Sequence, residues 1–107
     1  MKIKLLYFQS CPGWQQTKKN LEEVIAEQSL DIDFNTLEIT EHLIKLPDGF
    51  YGSPTLQYWQ ESAQEWKELF GETGESVMAC RTYTHHGKIT PYIPKEMLQE
   101  RLQEVTR

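Results

Sequence analysis

The sequence predicts an α/β domain, and three stretches carry that prediction. Ile3 to Phe8 is an apolar run broken only by Lys4, the pattern of a central strand covered on both faces. From Trp14 to about Gln28 the apolar positions Trp14, Leu21, Val24 and Ile25 alternate with Lys18, Lys19, Glu22 and Glu23, which fits a helix with one buried stripe. Asp31 to Ile39 puts Ile32 and Phe34 on one face and Leu37 and Ile39 on the other, a second strand able to run parallel to the first. Two parallel strands joined by a helix make a right-handed βαβ unit. At 107 residues the chain is expected to form one domain, 1–107, with a core large enough to fold without a metal or a disulfide.

The remaining elements follow in order. Thr40 can cap a short helix over Glu41 to Leu46, ended by the turn signal Pro47-Asp48-Gly49. Pro54 stands at the head of a third strand with Leu56, Tyr58 and Trp59, a position where its missing donor costs nothing. Residues 61–76 hold five glutamates and one lysine and therefore most of the net charge; they read as a long acidic loop, with a helical turn around Trp66 to Phe70. Val77 to Thr84 alternates as a fourth strand, and His85-His86-Gly87-Lys88 turns the chain. Pro91 and Pro94 keep the approach extended, and Pro94 can begin a closing helix whose Leu98, Leu102 and Val105 share a face.

Charge narrows the function. Eleven Lys and Arg against sixteen Asp and Glu give a net charge of −5, so a nucleic-acid partner is not expected. The start has only four apolar residues in a row, Leu5 to Phe8, too few for a signal sequence or a membrane span, and a cytoplasmic protein without a membrane partner is expected. The two cysteines, Cys11 and Cys80, lack Cys-x-x-Cys spacing, and in a reducing compartment such a pair is read as two separate thiols. No zinc spacing is present, and neither a metal ligand nor a bound cofactor is expected.

Cys11 is the candidate catalytic residue. It stands where the first strand pattern ends and the helix pattern begins, at the position of a helix N-cap, with Pro12 at the first helical position. The partial positive charge of a helix start favours a thiolate, while shielding by Trp14 and Phe8 opposes it, so a modest gain in reactivity over a free cysteine is expected. Burial of Cys11 as a small hydrophobe is the alternative.

The order βαβ, short helix, two strands and final helix resembles the thioredoxin fold, on Cys11-Pro12-Gly13-Trp14 and Ser53-Pro54-Thr55. More narrowly the chain is similar to small bacterial thioredoxin-like or glutaredoxin-like proteins with a Cys-Pro-x-Trp turn, a later Gly-Ser-Pro-Thr and a Cys-Arg-x-Tyr strand, some labelled alkylmercury-lyase-like. The resemblance covers nearly the whole chain. It implies about four strands in a mixed sheet with helices on both faces, a cis Ser53–Pro54 bond facing Cys11, and a Ser53 backbone offered as an extended edge to a thiol-bearing substrate. The binding surroundings of Cys11 would be Pro12, Gly13, Trp14, Ser53 and Pro54.

The chain departs from a dithiol oxidoreductase in carrying Trp14 where a second cysteine would stand. An outside thiol must then resolve any mixed disulfide at Cys11, and glutathione would serve as that external reductant. The glycine-pair and aspartate signature resembling a glutathione carboxylate site is missing, however, since Gly87-Lys88 occupies its place. The expectation is monothiol exchange or reduction acting on a thiol- or disulfide-bearing protein or small molecule, with no oligomeric state implied. The alternative is a binding module that keeps the fold to hold a protein partner or a soft metal ion.

Cys80 is expected to be packed, inert and distant from Cys11, because a fourth strand returning antiparallel from the third would start at the far pole. At most one of His85 and His86 could face the site, since neighbours on an extended chain point opposite ways; a solvated turn is the favoured reading. His42 has no evident partner. Phe8, Tyr51 and Trp14 could form an aromatic rim, with Trp14 covering the thiol or anchoring its helix, while Tyr58, Trp59, Trp66 and Phe70 read as core or covered loop.

Overall fold

A computed structural model describes residues 1–40, 52–70 and 80–106. Its elements in chain order are β1 (Lys2–Tyr7), α1 (Trp14–Glu27), β2 (Asp33–Glu38), β3 (Thr55–Gln60), β4 (Glu65–Glu68), β5 (Tyr83–His85), β6 (Lys88–Thr90) and α2 (Lys95–Val105). A four-stranded mixed sheet has the order β2-β1-β3-β4, and β5 and β6 form a separate hairpin. β1 pairs parallel to β2 and antiparallel to β3, with Leu5 opposite both Thr36 and Leu56.

Period two sorts β1 between the sheet's faces. Ile3, Leu5 and Tyr7 join Leu56, Leu21 and Val24 of α1, and Leu98 and Leu102 of α2, in the main core. Leu6 on the opposite face clusters with Phe8, Cys11 and Ile39. Both described helices therefore pack on one face, where helices on both faces were expected; the expected short helix at 41–46 and its turn at 47–49 lie outside the described residues. Buried polar groups tie the core layer together. The Thr17 hydroxyl accepts the Ile93 N–H at 3.0 Å, and the Asn20 amide donates to the Ile93 carbonyl at 2.9 Å, so the extended approach to α2 meets the backbone-pairing requirement of a buried segment.

The acidic stretch is where the structure corrects the sequence most. Residues 65–68 are not loop or helical turn but strand β4, antiparallel to β3 with Trp59 opposite Trp66. Glu61 to Gln64 make the connection, with Gln64 at φ 53°. Trp59 and Trp66 meet edge to face at 5.6 Å, an aromatic cross-strand pair of the kind that fixes register. A four-residue edge strand with three charged residues carries too little apolar signal to show as a strand by composition. The fourth strand expected at 77–84 is divided: 77–79 lie outside the described residues, Cys80 makes an isolated parallel bridge with Ser53, and 83–85 pair with β6 in a separate hairpin.

Candidate functional site

The connection from β1 to α1 places Cys11 on the side of the sheet opposite the helices, 4% exposed beside Leu6, Phe8 and Ile39. Gly13, not Cys11, is the N-cap of α1, so Cys11 and Pro12 both precede the helix. Gly13 has φ 95°, and a Cβ there would run into the carbonyl of Pro91. Both the backbone conformation and the close approach require glycine. Trp14 stacks on Tyr7 with ring centroids 4.1 Å apart and packs against the main core. It anchors α1 rather than covering Cys11, and the expected aromatic rim is split, with Phe8 on the opposite face and Tyr51 outside the described residues.

Across the sheet, the Ser53–Pro54 bond is cis, as the resemblance implied. Ser53 is fully buried, and its hydroxyl accepts the Phe8 N–H at 2.9 Å. The Ser53 carbonyl accepts the Arg81 N–H at 2.8 Å, and the Tyr83 hydroxyl donates to the Pro54 carbonyl at 2.6 Å. The Ser53 edge expected to face a substrate is thus occupied by the chain's own residues 80 and 81.

That same pairing brings Cys80 to Cys11. The two are joined in a disulfide, with Cα atoms 5.5 Å apart across a sequence separation of 69. The expectation of two separate, distant thiols is overturned, and the physical reason is the strand count. β4 is the strand that returns from β3, so Cys80 belongs to a later segment that runs parallel to the head of β3, beside the end of β1. Cys80 is exposed while Cys11 is buried.

Arg81 locks this segment down. Its guanidinium lies 2.7 Å from the Glu68 carboxylate, with side chains 8% and 3% exposed, and it also donates to Thr55 at 3.2 Å and lies over the Tyr83 ring. Glu68 further accepts the Phe70 N–H at 2.6 Å. Sequence reading missed Cys80, Arg81 and Glu68 as one group. The Trp59 and Trp66 pair was the available signal, because recognising β4 moves Cys80 to the other end of the sheet.

His85 and His86 are not part of this site. They close the β5–β6 hairpin beside α2, and both rings lie on the same side, in contact with each other. That at most one of them could face the Cys11 site holds, since neither does, and His86-Gly87 form the expected exposed turn; the two rings share a side because His86 has φ 52° and Gly87 φ 76°. A turn with two positive-φ residues breaks the alternation of an extended chain.

No protein-family model matches the chain, and neither a curated protein nor a solved structure matches it. Among the described residues no helix is long and apolar enough to cross a membrane.

Proposed function

We propose that this chain is a thioredoxin-like thiol–disulfide exchange protein whose redox pair is Cys11 and Cys80. The observation that carries the proposal is a disulfide joining a buried cysteine just before α1 to an exposed cysteine beside the cis-proline turn. Cys80 supplies from within the chain the second redox cysteine that the position of Trp14 does not. It also takes, beside Ser53, the place that the thioredoxin resemblance reserves for a thiol-bearing substrate.

Exposure orders the steps, since exchange depends on access to the attacked sulfur and on the leaving thiolate. A thiolate from outside attacks the Cys80 sulfur; the new bond forms there, the Cys11–Cys80 bond breaks, and Cys11 leaves as a thiolate two residues before the N-cap of α1. A second outside thiolate then attacks the outer sulfur of the mixed disulfide, freeing Cys80. Two thiols have become one disulfide, and the protein has gained two electrons. In reverse, the Cys80 thiolate attacks a disulfide-bearing protein or small molecule and expels one thiolate. Cys11 then attacks the Cys80 sulfur, releases the second and restores the internal bond. Cys11, expected as the sole nucleophile, becomes the resolving thiolate, and glutathione or another small thiol is the external reductant.

Single-cysteine variants test this with oxidised glutathione, peptide mapping and turnover on a protein disulfide. Cys11→Ser should accumulate a mixed disulfide on Cys80, the parent chain should convert it to the internal disulfide, and both Cys11→Ser and Cys80→Ser should lose turnover. A parent chain without turnover would leave the binding module as the better account, and a Cys80→Ser variant as active as the parent would overturn the Cys11–Cys80 pair in favour of monothiol exchange at Cys11.

A further inference from the structure

Four side chains that could act as metal ligands converge between the β5–β6 hairpin and the start of α2, on elements with no part in the redox pair. We propose that His85, His86, Glu96 and Glu100 form a zinc site that ties this hairpin to α2.

One potential ligand atom from each residue lies within 4.8 Å of all the others. His86 Nε2 is 3.5 Å and His85 Nε2 4.0 Å from oxygens of the Glu96 carboxylate. Tetrahedral zinc with bonds of about 2.0–2.2 Å to nitrogen and oxygen separates neighbouring ligand atoms by about 3.4 Å. The His86 gap is close to that spacing, while His85 faces the other oxygen of the same carboxylate from farther off, and both gaps are longer than ordinary hydrogen bonds. The remaining closure falls to His86, Glu96 and Glu100, all exposed and free to adjust.

The environment also calls for a cation. Nε2 of His85, on a side chain only 15% exposed, is buried without a hydrogen-bond partner among the described residues, a state that costs free energy unless something binds it. Glu96 and Glu100 stand four apart on α2, where like charges repel. Of the described residues lining the adjoining cavity of about 290 Å³, the one Lys or Arg is Lys88, itself exposed. His86 takes a positive-φ position for which asparagine or glycine would serve as well, and that position is what brings its ring to the side of His85.

The donor set selects the ion. Two imidazole nitrogens with two carboxylate oxygens suit zinc, whereas magnesium and calcium take oxygen ligands. A bound ion would cross-link the hairpin that follows the Cys80–Arg81 segment to the first turns of α2.

The test is a zinc titration of the full chain by calorimetry and thermal unfolding, repeated on a Cys11→Ser/Cys80→Ser double variant so that thiols cannot contribute. The expected result is saturable one-to-one binding in both proteins, a rise in Tm with zinc, and visible ligand-field absorption when cobalt(II) replaces zinc. His86→Ala and Glu96→Gln, at exposed positions and checked for an unchanged circular dichroism spectrum, should each weaken binding at least about 100-fold, since groups that merely orient a metal ligand are already worth about 10- to 100-fold. Absence of saturable binding, equal affinity in the His86→Ala and Glu96→Gln variants, or loss of binding in the double cysteine variant would each overturn the assignment. Because the thiols are absent in that variant, failure here is distinguishable from failure of the redox proposal.

Discussion

Glu68→Gln tests whether the Cys80 segment is held by charge. The substitution keeps the size of the side chain and an oxygen for the Phe70 N–H, but removes the counter-charge 2.7 Å from Arg81, where the two side chains are 8% and 3% exposed. Breaking a buried ion pair from one side costs about 3–5 kcal/mol, because the remaining charge has lost its compensation. Arg81 keeps its contacts with Thr55 and the Tyr83 ring, so the lower end, about 3 kcal/mol, is expected. For a domain of this size that lowers Tm by roughly 12–24 °C.

The assay is urea unfolding of the oxidised protein, reading the midpoint at unchanged slope. Glu65→Gln is the control on the same strand: its pair with Lys67, 3.4 Å apart, has side chains 57% and 45% exposed, and such surface pairs are worth about 0–1 kcal/mol. Replacing both buried partners, as in Glu68→Leu/Arg81→Met, should recover most of the loss. A Glu68→Gln cost below about 1 kcal/mol, or one matched by Glu65→Gln, would refute the claim that this buried pair fixes the segment.

Three further outcomes follow from the same geometry. Reducing the Cys11–Cys80 bond, or Cys80→Ser, should lower stability by up to about 4 kcal/mol, the chain-entropy value for a sequence separation of 69; denaturant midpoints with and without reductant measure it, and no difference would count against the disulfide. Gly13→Ala should cost about 2–4 kcal/mol, from the positive φ and the collision with the Pro91 carbonyl, whereas Gly87→Ala, with open space around it, should cost only the backbone strain. The Lys95 ammonium is held above its ordinary range first by its hydrogen bond to Glu27 and also by the charges of Glu27 and Glu23. Its contribution is therefore complete below the unfolded-state value and fades as pH rises through the folded-state one, so parent and Lys95→Met midpoints should differ at pH 8 and converge in strongly alkaline solution.

What could be read from the sequence depended on how strongly local pattern and tertiary placement agree. β1, α1 and β2 were legible because an apolar central strand, a one-sided helix and a short second strand each satisfy their own periodicity, and the boundaries differ from the structure by only a few residues. α2 was legible from Leu98 and Leu102, both fully buried. β4 was not, because an edge strand needs little apolar surface, and glutamates and a lysine beside Trp66 resemble a loop in composition.

The error at β4 propagated to the site. A strand omitted from the antiparallel part of the sheet, β1-β3-β4, reverses the pole at which every later residue is placed. Cys80 was sent to the far end by a correct geometric rule applied to one strand too few. Arg81 and Glu68 were invisible for a related reason, since a buried ion pair between residues thirteen apart leaves no periodic trace and is meaningful only once β4 is known to carry Glu68 inward. The exposed turn at His86-Gly87 was legible, but the contact between the two rings was not, because alternation holds along a strand and His86 and Gly87 leave the extended region. The residues on which both proposals rest thus sit where the chain departs from regular pattern, at a bridge beside a proline turn and at a tight hairpin. Those are the places where side-chain direction is set by individual dihedral angles and by pairing partners distant in sequence.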